Sequence, residues 1–406
     1  MASTVVLQDD VRFRASGDEA GTPIGDRKFR PDVEGLRAIA VGLVVLYHAG
    51  VTAVSGGYIG VDVFFVISGF VITGLLLRER SATGSNRIAA FYGRRARRIL
   101  PAATLVIGAT VIASYHWLGF VSGARVASDA RAAALFVANF HFAQLGTNYL
   151  SSNQPPSPLQ NFWSLAVEEQ FYVAYPALFI LIAVSFSRRL NYQARLAIML
   201  CMVIAGSYLW SIVQTNSNGT VAYFSPFTRG WELALGGLIA VAGPVWKRVP
   251  RTPAAIMSWV GVGAICYGAV EFNQTTPYPG SIVAIPVVGA ALVIAGGTPV
   301  PRFGAEVLLR VLPFQWLGKL SYSLYLWHWP VLIIAAQQAG RTLPVGDNLA
   351  WVALAIGLSI VTYFTVENPV RHARVLVRHP LASIGIGSIL VATSILVLTV
   401  ELHIHP

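Results

Sequence analysis

Residues 34–48 read Glu34-Gly-Leu-Arg37-Ala-Ile-Ala-Val-Gly-Leu-Val-Val-Leu-Tyr-His48, and residues 60–70 read Gly60-Val-Asp62-Val-Phe-Phe-Val-Ile-Ser68-Gly-Phe70. The first is an apolar run of helix length that admits two ionisable side chains, Arg37 and His48. Their spacing of eleven residues, at about 100° each, is roughly three full turns, so both lie on one face about 16 Å apart. An ionisable group in hydrocarbon is costly and marks a functional site by default. Taken singly, Arg37 reads as a snorkelling anchor and His48 as an interhelical hydrogen-bonding residue. Sharing a face weakens both readings. Asp62 opens the next apolar run and is expected at the depth of His48 on an antiparallel neighbour. A carboxylate there would fix the tautomer of the imidazole, as in hydrolase triads; otherwise Asp62 is a helix-start residue at the interface.

The pattern of these two runs recurs along the 406 residues. Hydrophobic residues make up 55% and charged residues 12%, about half the charge of a soluble domain. Apolar segments fall at 36–54, 60–77, 99–118, 164–184, 196–214, 226–243, 255–272, 281–297, 316–337, 349–366 and 381–401. Their lengths suit a hydrocarbon core of roughly 30 Å. The expected fold is therefore all-α, a polytopic transmembrane bundle of about 11 helices. A further stretch at 132–145, with Asn139, His141 and Gln144, is short for a crossing and is expected to be re-entrant or peripheral.

Loop charge supports that count. With 132–145 not crossing, the basic loops Arg78 to Arg98, Arg188 to Arg195, Lys247 to Arg251, Arg302 with Arg310, and Arg371 to Arg378 share one side. The positive-inside rule makes that side cytoplasmic. The N-terminus is then cytoplasmic and the C-terminus extracytoplasmic, in a multi-pass plasma- or inner-membrane protein. The net charge of +11 is mostly this topology signal, and a nucleic-acid partner is not expected. Residues 1–30 are polar, lack the features of a signal peptide and read as a disordered cytoplasmic tail. Residues 31–372 form the main transmembrane domain, and 373–406 add one helix leading to the outer side. Cys201 and Cys266 sit in apolar runs and read as small core residues; no metal site is expected.

Several polar groups lie at span ends. Arg94-Arg-Ala-Arg-Arg98-Ile-Leu-Pro101 concentrates more arginine than topology needs. Guanidinium forks match phosphate oxygens, so the ligand is either an anionic lipid headgroup or a soluble polyphosphate such as a coenzyme A thioester. Asn161-Phe-Trp-Ser-Leu-Ala-Val-Glu168-Glu169-Gln-Phe-Tyr172 places two acids at a span start, where only a wet cavity explains them. Ser321-Tyr-Ser-Leu-Tyr325-Leu-Trp-His328-Trp-Pro330 makes His328 a second cavity residue or an interface anchor. Arg229 and Glu232, one turn apart, read as a structural pair.

At these residues the chain resembles the acyltransferase family 3 membrane proteins, which act on O-antigen, peptidoglycan and macrolides. The resemblance covers roughly residues 30 to 370. It rests on Arg37-x10-His48, Phe64-Phe65-x-x-Ser68-Gly69-Phe70, Arg94-Arg95-x-Arg97-Arg98-x-x-Pro101, Trp163-Ser164-Leu165-x-x-Glu168-x-x-Phe171-Tyr172 and Ser323-x-Tyr325-x-Trp327-His328-x-Pro330, in that order. It implies transfer of an acyl group, often acetyl, from cytoplasmic acyl-CoA to a hydroxyl of a glycan or lipid-linked acceptor. No permanently bound cofactor is implied. Arg37, Arg94, Arg95, Arg97 and Arg98 would then face the acyl-CoA donor. His48 would be the essential catalytic residue, oriented by Asp62 or Glu168. Ser68, Tyr325 and His328 are expected to line the acceptor side or the cavity, and membrane lipids surround the whole. Many members append an outer hydrolase-like SGNH domain, and the extra span at 381–401 matches the membrane part of such a fused member. The rival from another class is a proton-coupled transporter running through Arg37, His48, Asp62 and Glu168. Inverted repeats typical of transporters are not evident in the sequence, and the arginine loop has no use in that scheme.

Overall fold

A computed structural model describes residues 29–85, 87–146, 155–184 and 191–404. Most of the expected tail, and Arg188 and Arg189, lie outside the described residues. Among those residues the chain is helical, without strands. The principal helices are α1 (Pro31–His48), α2 (Gly60–Thr83), α3 (Ile88–Leu118), α4 (Phe120–Ala134), α5 (Ala138–Gln144), α6 (Phe162–Val184) and α7 (Tyr192–Ser217). They continue as α8 (Pro226–Val241), α9 (Arg251–Glu271), α10 (Ala284–Gly297), α11 (Leu312–Gln338), α12 (Val345–Thr362) and α13 (Pro380–Ile404). Each apolar segment read from the sequence carries one of these helices. A backbone in hydrocarbon must satisfy its own hydrogen bonds, and a helix does so within one segment.

Five helical runs are long and apolar enough to cross a membrane: Gly57–Thr83, Ile88–Leu118, Tyr192–Ser217, Arg251–Glu271 and Val345–His372. Ala284–Gly297 and Pro380–Leu396 are shorter apolar helices. The stretch at 132–145 is not a single element. It is the last turn of α4, a break at Phe136 with φ 55°, and the seven residues of α5. That break suits a peripheral piece, which packs beside α6.

Helix ends follow local chemistry. Pro31 begins α1, where its missing N–H is no loss, and Asp32 and Glu34 occupy the first turn, favourable against the helix dipole. Gly84 closes α2 in the left-handed conformation at φ 73°. Beyond α12 the chain runs through one π-helical turn, Tyr363–Glu367, into Asn368–His372, a local widening often found at functional sites.

Glycine sets the central crossing of α2 and α8. A Cβ on Gly69 would stand 1.8 Å from the Leu233 carbonyl oxygen, and one on Gly236 would stand 2.0 Å from that of Val66. Close backbone approach through small residues is the usual source of helix affinity in membranes. Gly69→Val should therefore force α2 from α8 and cost about 1–3 kcal/mol or more. Thermal unfolding in detergent checks this, and a melting point equal to wild type would show that the crossing is not tight.

Candidate active site

Two helices frame the site. Arg37 donates from Nη2 to Ser321 Oγ at 2.8 Å, and His48 Nδ1 meets His328 Nε2 at 3.0 Å. Both partners belong to α11, so Arg37 and His48 do share a face. Low numbers on α1 meet low numbers on α11, so the two helices run parallel. Ser321 and His328 are seven residues apart, about two turns or roughly 10 Å. The site thus has an arginine level and a histidine level.

At the arginine level, Arg37 also approaches Glu34, Nη1 to Oε2 at 3.6 Å, and remains 18% exposed. Arg95 donates to Glu169 Oε1 at 2.9 Å and stands 3.5 Å from Glu168 Oε1. Its guanidinium lies 3.6 Å from the centroid of the Tyr172 ring. Glu168 Oε1 also accepts from Ser68 Oγ at 2.7 Å and from the Tyr172 hydroxyl at 2.5 Å. Arg98 has no hydrogen bond or ion pair among the described residues, and it lies within electrostatic reach of Arg37, Arg95 and Arg371. Arg98 is thus a half-buried cation among other cations, with no acid paired to it among the described residues.

The arginine run does not act as one surface. Successive helical residues are 100° apart, so four arginines within five positions point to different neighbours. Arg94 binds Glu79 at 3.1 Å. Arg97 donates to the Leu376 carbonyl at 2.6 Å and to Ser383 Oγ at 2.7 Å, which fastens α13 to α3. Of the expected donor-facing set, Arg37, Arg95 and Arg98 come together, whereas Arg94 and Arg97 are engaged elsewhere.

At the histidine level, His328 is fully buried and Trp329 sits edge-on to His48 at 4.5 Å between ring centroids. Tyr325 lies one turn below; its hydroxyl is 2.6 Å from Ser164 Oγ and donates to the Asn161 carbonyl at 3.1 Å. Asn161 Oδ1 is buried and has no hydrogen-bond partner among the described residues. Between the levels, Ser323 donates to Glu367 at 2.6 Å, tying α11 to the π-helical turn.

The expected pairing of Asp62 with His48 is not what forms. After α1 the chain makes two short turns, Thr52–Val54 and Gly57–Ile59, that descend beside α1. Cβ atoms on Gly57 and Gly60 would fall 2.3 Å and 2.2 Å from the carbonyls of Leu43 and Ala40. Helix α2 therefore starts level with Ala40, about 12 Å below His48 at 1.5 Å per residue. Asp62 instead binds Arg229 Nη1 at 2.5 Å and accepts from the Tyr278 hydroxyl. Arg229 also holds Glu232 at 3.3 Å, the pair read from sequence. Glu168 likewise belongs to the arginine level. Helix α6 is antiparallel to α11, with Ser157 at Trp329 and Ser164 at Tyr325, which carries Glu168 down towards Ser321.

Sequence reasoning missed Ser321, Arg371, Tyr278 and the His141–Asp129 contact of 2.7 Å between α5 and α4. Ser321 was findable, because it and His328 share a face of α11 as Arg37 and His48 share one of α1. Tyr278 lies in a polar loop with no periodicity to place it.

Comparison with known proteins bears on the family of the chain. The listeria protein "Peptidoglycan O-acetyltransferase OatA" (Listeria monocytogenes serovar 1/2a) is 29% identical over 354 residues, 85% of this chain and 56% of its own length. The "Putative peptidoglycan O-acetyltransferase YrhL" of Bacillus subtilis is 31% identical over 364 residues, 85% of this chain and 55% of its own. "Putative O-acetyltransferase SAS0844" of Staphylococcus aureus is 30% identical over 354 residues, 85% and 58%. The chain thus spans just over half the length of these relatives. No solved structure matches it. Residues 30–366 match the family described as Acyltransferase domain, and the chain belongs to that membrane acyltransferase family.

Proposed function

We propose that this chain moves an acyl group, acetyl in the first instance, from cytoplasmic acyl-CoA to a hydroxyl of a cell-envelope glycan or lipid-linked glycan. The observation that carries the reading is the polar column along α11. It offers cations at one level, Arg37 with Arg98, and a histidine pair at the other, Arg37 and His48 lying roughly 16 Å apart along α1. A donor with phosphates at one end and a thioester at the other suits that division. Peptidoglycan is the acceptor to try first, since it is named for two of the relatives.

Arg37 and Arg98 hold the donor phosphates, and Arg95 stays fixed by Glu168, Glu169 and Tyr172. His48 takes the proton of the acceptor hydroxyl while that oxygen bonds to the acyl carbon. The carbon–sulfur bond then breaks, and the departing thiolate takes the proton from the imidazolium. Glu168 already accepts from Ser68, Tyr172 and Arg95, so its part is to hold Arg95 and not to act as base. Tyr325, Ser164 and Asn161 line the path of the acceptor.

The test is release of free coenzyme A thiol from acetyl-CoA by the purified protein in detergent, with and without soluble peptidoglycan glycan strands. Acceptor-stimulated release is expected. A folded sample that neither binds nor turns over acetyl-CoA would overturn the reading. Arg98→Gln should raise the donor KM by about tenfold or more, the worth of one charge-assisted hydrogen bond, with kcat little changed. An unchanged KM would send Arg98 back to lipid headgroups.

A further inference from the structure

The histidine level carries more than a reactive imidazole: among the described residues, two contacts there bear on which nitrogen of His48 carries the proton. His328 Nδ1 is 3.1 Å from the backbone carbonyl of Leu324, one turn earlier in α11. A carbonyl only accepts, so His328 Nδ1 must carry the hydrogen. Its Nε2 is then, in the neutral ring, a lone pair. That lone pair faces His48 Nδ1 at 3.0 Å. The two rings are nearly coplanar, 13° apart, with centroids 5.2 Å apart. That spacing is too great for face-to-face contact, and the alignment is that of an N–H···N bond lying in both ring planes.

For two neutral rings, one arrangement of protons satisfies both contacts. Leu324 accepts from His328 Nδ1, and His328 Nε2 accepts from His48 Nδ1. His48 Nε2 is then the lone-pair nitrogen. We propose that His328 is the positioning residue of His48: it occupies the place that a carboxylate takes in a triad, holding the tautomer whose Nε2 can accept a proton. This rests on the acyl-transfer reading for its consequence, though not for its structural content. It also explains the placement of Asp62 and Glu168, because the orienting role that sequence alone gave to an acid is filled by an imidazole from α11.

The helical setting makes the relay stiff. His328 bonds to its own helix one turn back, and the edge of Trp329 against His48 limits rotation of that ring. Trp329 is itself held by donation from its indole nitrogen to the Ser157 carbonyl at 2.9 Å. The proposed part of His328 differs from lining an acceptor cavity, since no contact between His328 and the acceptor is needed.

The experiment uses the full chain in detergent or bilayers, labelled with nitrogen-15 at histidine, with His48→Gln and His328→Gln samples to assign the signals. In wild type, His48 is expected to show a protonated Nδ1 and an unprotonated Nε2. His328→Phe removes the acceptor, so that signature should be lost and kcat should fall about 100-fold, with donor KM within twofold; a wrong tautomer in a serine hydrolase costs about 10⁴. His328→Gln supplies an amide oxygen that can accept from His48 Nδ1. It should restore the Nδ1–H signature and bring kcat to within about fivefold of wild type. A wild-type His48 protonated at Nε2 overturns the proposal whatever the activity. So does a His328→Phe enzyme keeping more than half of wild-type kcat, or a folded His328→Gln enzyme with the Nδ1–H signature of His48 absent. Absence of acyl transfer by wild type would instead count against the acyltransferase reading, and the nitrogen signature would still decide the proton arrangement.

Discussion

His48→Ala is expected to lower acyl transfer by about 10² to 10⁴, the usual contribution of a positioned general base. Binding of acetyl-CoA should survive, because the phosphates are assigned to Arg37 and Arg98 at the other level of α11. The substitution also removes the partner of His328 Nε2 at 3.0 Å, and an unpaired buried acceptor costs about 1–3 kcal/mol. A modest drop in thermal stability is therefore expected beside the loss of turnover, and the two are separable. A destabilised but folded enzyme would lose both binding and turnover in proportion to its unfolded fraction, whereas a chemical defect leaves the donor affinity intact. Transfer above a tenth of wild type would remove His48 from the centre of the mechanism, and Tyr325 with Ser164 would be the next place to look.

How far the sequence reads through to this arrangement depends on the kind of contact. Periodicity and apolar run length are properties of one segment, so the helices and the shared face of Arg37 and His48 were legible. The pairing of Arg229 with Glu232 was legible for the same reason, since residues one turn apart meet on any helix. Contacts between distant segments were not. Asp62 was expected beside His48 because an antiparallel neighbour joined by a short loop would start at the depth where α1 ends. The two turns at Thr52–Val54 and Gly57–Ile59 shift that start by two helical turns, and no sequence rule fixes their direction. The arginine run misled in a different way. Composition suggested one basic surface, yet a helix spreads neighbouring residues around its axis, so Arg97 fastens α13 while Arg98 faces Arg37.

The cluster displaced from the catalytic reading supplies the largest effect expected on folding. Arg229 is fully buried between two carboxyl groups, with Asp62 at 2.5 Å and Glu232 at 3.3 Å, and donates to the Tyr223 carbonyl at 3.3 Å. The rings of Trp163, Tyr223 and Tyr278 surround its guanidinium at 5.6, 5.1 and 5.2 Å. Arg229→Met leaves two buried acids without that cation, and removing one partner of such a group costs about 3–5 kcal/mol. The single variant should unfold well below wild type in detergent. Replacing the whole cluster, as Asp62→Asn with Glu232→Gln and Arg229→Met, removes the uncompensated charge and should recover more than half of the loss. A triple variant as unstable as the single one would mean that the cluster holds α2 to α8 by specific geometry, and that charge balance contributes little. The same pair of variants bears on the mechanism. If the cluster is structural, the triple variant keeps acyl transfer once its stability is restored; if Asp62 takes part in the chemistry after all, stability returns and activity does not.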